Sequence, residues 1–94
     1  MVRIRSVEAL NGLRVRLVFT DGFIGEVDLG PFLRGPIFEP LLSDRALFAS
    51  VRVDPECETI GWPNGADIDP DTLYAAARGQ SSATESPLPN IPQR

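Results

Sequence analysis

The sequence predicts an α+β domain, a small curved sheet of about five strands with short helical turns in the middle and a helix at the C-terminal end. Three observations predict it. Apolar and polar residues alternate through the first thirty positions, broken by Asn11-Gly12 and Asp21-Gly22; three prolines divide a strongly apolar middle; and Asp69-Pro70-Asp71 opens an alanine-rich run.

The first strand is written in "VRIR", which sets Val2 and Ile4 on one side and Arg3 and Arg5 on the other. Asn11-Gly12 suits a tight type I′ hairpin, after which Leu13, Val15, Leu17 and Phe19 recur every second residue. Asp21-Gly22 repeats the device and leads to Ile24, Val27 and Leu29, so the first three strands make a meander. The alternation slips between Ile4 and Val7 and between Ile24 and Val27, which predicts at least one bulge or change of face and hence a curled, partly closed sheet.

Between Leu29 and Phe48, Pro31, Pro36 and Pro40 forbid a long helix or central strand, yet Phe32, Leu33, Ile37, Phe38, Leu41, Leu42, Leu47 and Phe48 are apolar. The expectation is one or two helical turns closing the sheet, with Ser43 or Asp44 capping the last; an apolar groove or lid is the functional alternative. "SVRVD" and "ETIGW", joined at Asp54-Pro55-Glu56, read as a second hairpin.

Residues 61–79, "GWPNGADIDPDTLYAAARG", admit two readings. Asp67, Asp69 and Asp71 have the spacing that opens a calcium-binding EF-hand loop, but Thr72 stands where that loop needs Gly and Arg78 where it needs Glu, and Pro70 interrupts the ligand run. The other reading is a hand-over from strand to helix. Asp69 is the N-cap, Pro70 the first helical residue, Asp71 a carboxylate at the positive end of the dipole, Leu73, Ala76 and Ala77 the buried stripe, and Gly79 the stop. Pro63 and Asn64-Gly65 make the preceding turn, and Trp62 packs beside Tyr74 or Leu73 or floors a pocket.

At 94 residues the chain has room for one domain, placed at 1–79, followed by a Ser/Pro-rich tail at 80–94 that is expected to be flexible or to extend on a partner. No apolar run approaches the roughly 20 residues that span a bilayer, and "MVRIRSVEAL" lacks a secretory pattern, so the expected location is the cytoplasm. A lone Cys57 agrees with a reducing compartment. Net charge is −4; Arg3, Arg5, Arg14 and Arg16 against Glu8 give the first twenty residues +3, leaving −7 for the rest. That balance argues against a nucleic-acid binder. All nine cations are arginine, as a GC-rich genome or a face built for carboxylate or phosphate pairing would produce, and their alternation reads as a solvated strand face.

The catalytic inventory is thin. With no histidine, Ser-His-Asp and Cys-His arrangements are excluded and no zinc ligand set exists within one chain. Cys57 stands among Asp54, Glu56 and Glu58, which disfavour a thiolate, and no glycine-rich phosphate loop occurs. Asp67 with Asp69, or Glu26 with Asp28, would place alternate carboxylates near one another, but exposed acids on strand faces and in turns are normally inert. The sequence therefore implies no enzyme, no metal and no cofactor.

"LVFTDG", "PIFEPLLSDRALFASVRVD" and above all Trp62-Pro63-Asn64-Gly65 with Asp67, Pro70 and Leu73 resemble the small bacterial family known as domain of unknown function 2442, related to a Nitrosomonas NE-type N-terminal domain, across about residues 3 to 78. The resemblance implies a pseudo-barrel mixed sheet with a C-terminal helix, and no catalytic residues. It also implies company: family members are similar to accessory modules found beside another small protein in two-gene units or attached to a helix-turn-helix domain. Two functions follow as expectations. The first is a non-enzymatic interaction or regulatory module, antitoxin-like, with a small bacterial protein partner. The second is a sensor for a small ligand or peptide near Trp62, Asn64, Asp67 and Tyr74. Neither a membrane nor direct nucleic acid is expected as a partner, and an exposed edge strand would permit a homodimer.

Overall fold

In the computed structural model, which describes residues 2–85, the alternating N-terminal third is an antiparallel meander of β1 (Ile4–Ala9), β2 (Arg14–Phe19) and β3 (Ile24–Asp28). The two-residue period puts Val15, Leu17, Phe19 and Val27 fully inside and leaves Glu8, Arg14 and Arg16 outside. Of the two predicted slips, one is a bulge: the β1–β2 register shifts between Ile4 and Ser6. The other is not. β3 pairs with β2 without interruption, so Ile24 turns to the outer face and Gly25 takes the inner position opposite Leu17.

The turns differ from one another in a way their dipeptides do not reveal. Asn11-Gly12 does not form the expected type I′ turn. Gly12 (φ +64°) is the only one of the pair at positive φ, and the Arg14 N–H closes onto the Asn11 carbonyl, which makes Gly12 the first central residue, as in a type II′ turn. At Thr20-Asp21-Gly22 the Gly22 N–H bonds to the Phe19 carbonyl and the Phe19 N–H to the Phe23 carbonyl, a three-residue loop with Gly22 at φ +93°.

The proline-broken middle contains a 3-10 turn at Gly30–Phe32 and two single-turn helices, α1 (Glu39–Ser43) and α2 (Arg45–Ala49). Asp44, one of the two expected caps, accepts from the Leu47 N–H (3.1 Å). Leu33, Leu41 and Phe48 are buried against the sheet. A second hairpin follows in β4 (Arg52–Asp54) and β5 (Thr59–Gly61), whose turn is drawn in by Asp54 accepting from the Glu56 N–H with its side chain and from the Glu58 N–H with its carbonyl. Glu58 closes it in the left-handed region at φ +57°.

Two features depart from the expected single, mixed sheet. Every ladder is antiparallel, and the five strands form two sheets that meet where the Ile4 N–H bonds to the Glu58 carbonyl (2.9 Å). The β1 bulge begins at that same Ile4. No sheet closes on itself among the described residues.

α3 (Pro70–Glu85) packs along β3 with Leu73 and Ala77 fully buried. Asp69 caps it, accepting from the Thr72 N–H (3.1 Å). The expected stop at Gly79 is not used. A glycine ends a helix by taking positive φ, and Gly79 does not; with no proline before Pro87 the helix runs on. Residues 80–85 of the expected tail are thus helical, and 86–94 lie outside the described residues.

Candidate partner-docking surface

The Trp62–Gly65 turn repeats the Phe19–Gly22 turn bond for bond. The Gly65 N–H reaches the Trp62 carbonyl (3.0 Å), the Trp62 N–H reaches the Ala66 carbonyl (2.9 Å), and Gly65 sits at φ +95°. In each loop the residue before the glycine accepts from the N–H two places on: Asn64 Oδ1 from Ala66 (3.1 Å), Asp21 Oδ1 from Phe23 (2.9 Å). What remains of each side chain decides which residue type is present. Asn64 has an amide Nδ2 left over and donates it to the Ile37 carbonyl (3.0 Å), whereas Asp21 has a second oxygen and accepts from the Tyr74 hydroxyl (2.6 Å). A carbonyl partner needs a donor and a hydroxyl is satisfied by an acceptor, so the two turns cannot exchange these residues without loss.

Trp62 serves the same segment as Asn64. Its ring lies 6.2 Å from that of Phe48, only 2% of the residue is exposed, and its Nε1–H donates to the Phe48 carbonyl (3.0 Å). It therefore packs on α2 and not against Tyr74. Tyr74 stands elsewhere, edge-on to Phe19 (4.9 Å) and Phe23 (5.8 Å), with the Arg78 guanidinium 5.7 Å from its ring centre. The bond to Asp21 raises the Tyr74 hydroxyl pKa and, with the Phe23 N–H, lowers that of the Asp21 carboxyl. Asp67 bridges to Gly61 through its backbone and, with Arg52, Asp54 and Trp62, borders a hollow of about 180 Å³. That is below the roughly 300–1,000 Å³ of ordinary ligand pockets. Of the four candidate residues, then, Trp62 and Asn64 act together on the middle segment, Asp67 borders the hollow beside Trp62, and Tyr74 belongs to a separate aromatic cluster.

Fastened at Ile37 and Phe48, the middle segment turns two large apolar side chains outward: Ile37 is 47% and Leu42 is 50% exposed. Leu42 also borders an open groove of about 300 Å³ shared with Leu13, Leu41 and Phe48. Arg45 rims it; its guanidinium donates to the Leu10 and Gly12 carbonyls and lies 5.1 Å from the Phe48 ring centre, tying α2 to the first turn. The apolar middle, expected to close the sheet, thus divides, Leu41 facing in and its neighbour Leu42 facing out. Nothing in the composition of the run assigns those faces.

The arginine face is a ledger of exposed pairs. Arg14 meets Glu26, Arg16 meets Glu8 (2.9 Å) and Glu26 (3.1 Å), and Arg3 lies 3.6 Å from Glu58. The Glu26 hydrogen bond, then the Glu8 charge, hold the Arg16 proton more firmly than usual. Among the described residues no three His, Cys, Asp or Glu side chains gather where they could hold a metal ion, and no helix is long and apolar enough to cross a membrane.

Residues 4–79 match the family of proteins of unknown function DUF2442. The chain belongs to that family. The Trp62–Leu73 run lies wholly within the matched residues. A comparison with curated proteins gave no match. Among solved structures, the chain is similar to a Nitrosomonas europaea protein named a "putative DNA binding protein", with 31% identity and a TM-score of 0.76 over 87% of this chain. The match spans 52% of that protein, about half its length.

Proposed function

We propose that this DUF2442 chain is a non-enzymatic interaction module of the bacterial cytoplasm, the binding and antitoxin-like half of a two-protein system, and that its small protein partner docks on Ile37, Leu42 and the adjoining groove. One observation carries the reading: Trp62 and Asn64 direct their side-chain donors at the backbone of the very segment that leaves these apolar groups exposed. A fixed segment with outward apolar side chains meets a partner with little ordering cost. The net charge of −4 favours a basic partner and speeds its encounter.

The DNA binding in the neighbour's name is not carried over. This chain corresponds to half of that protein, and Arg3, Arg14 and Arg16 face carboxylates of their own fold. A small-ligand sensor at Trp62 has less support, since the indole is buried and the hollow beside it is small.

The experiment is recovery of tagged protein at native expression from its host. A stoichiometric partner is expected, and Ile37→Asp with Leu42→Asp should release it while the circular dichroism spectrum stays unchanged. Recovery of no partner, or retention of one by the folded double variant, overturns the reading.

A further inference from the structure

The outer edge of β3 carries an inference separate from the Ile37–Leu42 surface. Bonded and non-bonded pairs alternate along an antiparallel ladder. The Phe19 N–H bonds to the Phe23 carbonyl at one end of the β2–β3 pairing and the Leu29 N–H to the Leu13 carbonyl at the other, both at 2.9 Å. Between them the bonded pairs are Leu17 with Gly25 and Val15 with Val27. Ile24 and Glu26 therefore turn their N–H and carbonyl groups away from β2, and these have no backbone partner among the described residues. Beside them Ile24 is 59% exposed, across the ladder from Val18.

We propose that two copies of this chain pair through β3, antiparallel about a two-fold axis at Gly25, joining two three-stranded sheets into one. The residues select this register. With Gly25 opposite Gly25, Ile24 faces the other copy's Glu26 and Glu26 the other copy's Ile24, so the outward N–H and carbonyl groups of these two residues are used in both copies. The two glycines occupy the close, non-bonded pair, about 4.5 Å between Cα atoms, where no Cβ stands between the copies. A register centred on Glu26 sets two carboxylates directly opposite, which is unfavourable. One centred on Ile24 brings Glu26 against the Gly22 turn, where regular pairing has ended. Two-fold self-pairing of this kind is isologous and closed, so the edge is consumed and no fibre grows.

The test is sedimentation equilibrium of the purified full chain from micromolar to millimolar concentration, with amide exchange read at Ile24 and Glu26. The wild type should dimerise, and the two amides should gain protection as concentration rises. Ile24→Asp sets an acid opposite the other copy's Glu26 at both symmetric positions and should weaken the dimer on the order of tenfold. Ile24→Lys reverses that charge and should restore affinity to at least the wild-type value. Ile24 is exposed, so at concentrations where the chain is monomeric both variants should keep the wild-type unfolding midpoint. A chain that stays monomeric, Ile24 and Glu26 amides that remain unprotected in the dimer, or a lysine variant as weak as the aspartate variant overturns the proposal.

Discussion

Exchanging the residue before the glycine between the two matching turns separates the turn from what it holds. Asn64→Asp keeps the acceptor for the Ala66 N–H but replaces the donor to Ile37 with an oxygen that faces a carbonyl oxygen. The loss is one hydrogen bond, about 1 kcal/mol, with a comparable penalty for opposed oxygens reduced by the water that reaches this exposed site; about 1–2 kcal/mol in total. For a domain of this size that is a fall in melting temperature of roughly 5–15 °C. Asp21→Asn makes the opposite exchange at less cost, because the Tyr74 hydroxyl can accept from an amide as well as donate to a carboxylate. Urea and thermal unfolding at pH 7 should therefore rank wild type, Asp21→Asn and Asn64→Asp in falling order. Below about pH 4 the Asn64→Asp deficit should narrow, since a protonated carboxyl donates to the Ile37 carbonyl. Equal stability for wild type and Asn64→Asp, or a deficit that does not respond to acid, would show that Asn64 does not fasten the middle segment.

Other outcomes follow from single contacts. Trp62→Phe removes the donor to Phe48 and part of a buried ring, and should cost about 2–3 kcal/mol in urea unfolding, with faster amide exchange in α2. Asp69→Ala should lower stability by about 1 kcal/mol through the lost cap of α3. Glu58→Gly should raise stability by about 1 kcal/mol, because only the side chain makes φ +57° costly; an unchanged urea midpoint would mean that the Arg3 contact offsets the relief. Asp21, its pKa lowered first by Tyr74, adds stability that is complete above its ordinary value of 3.8 and is lost as pH falls through the lowered one. Tyr74, raised first by Asp21, adds stability complete below 10.0 and lost as pH climbs through the raised value. Tyr74→Phe should therefore flatten both limbs of a plot of unfolding midpoint against pH.

The strands and the last helix were legible because each obeys a local rule: alternation in β2, capping at Asp69, the Asp44 start of α2. What was not legible depends on geometry beyond the neighbouring residues. Nothing near Ile24 says that Gly25 takes the inner place, and the Asn11-Gly12 dipeptide reads the same in either primed turn. Gly79 has the composition of a stop, but the backbone after it stays helical. The four candidate site residues lie within thirteen positions of one another, a closeness along the chain that the fold undoes by sending Trp62 to Phe48 and Tyr74 to Phe23. Asn64 was recognisable as a turn residue; its hold on Ile37, 27 positions earlier, was not.

That reach backward along the chain has a consequence for synthesis. The Gly30–Ala49 stretch leaves the ribosome before the indole and amide that secure it exist, while the meander needs only residues already made. A nascent chain thus holds its first three strands and the cover over them before it holds the two side chains that latch that cover.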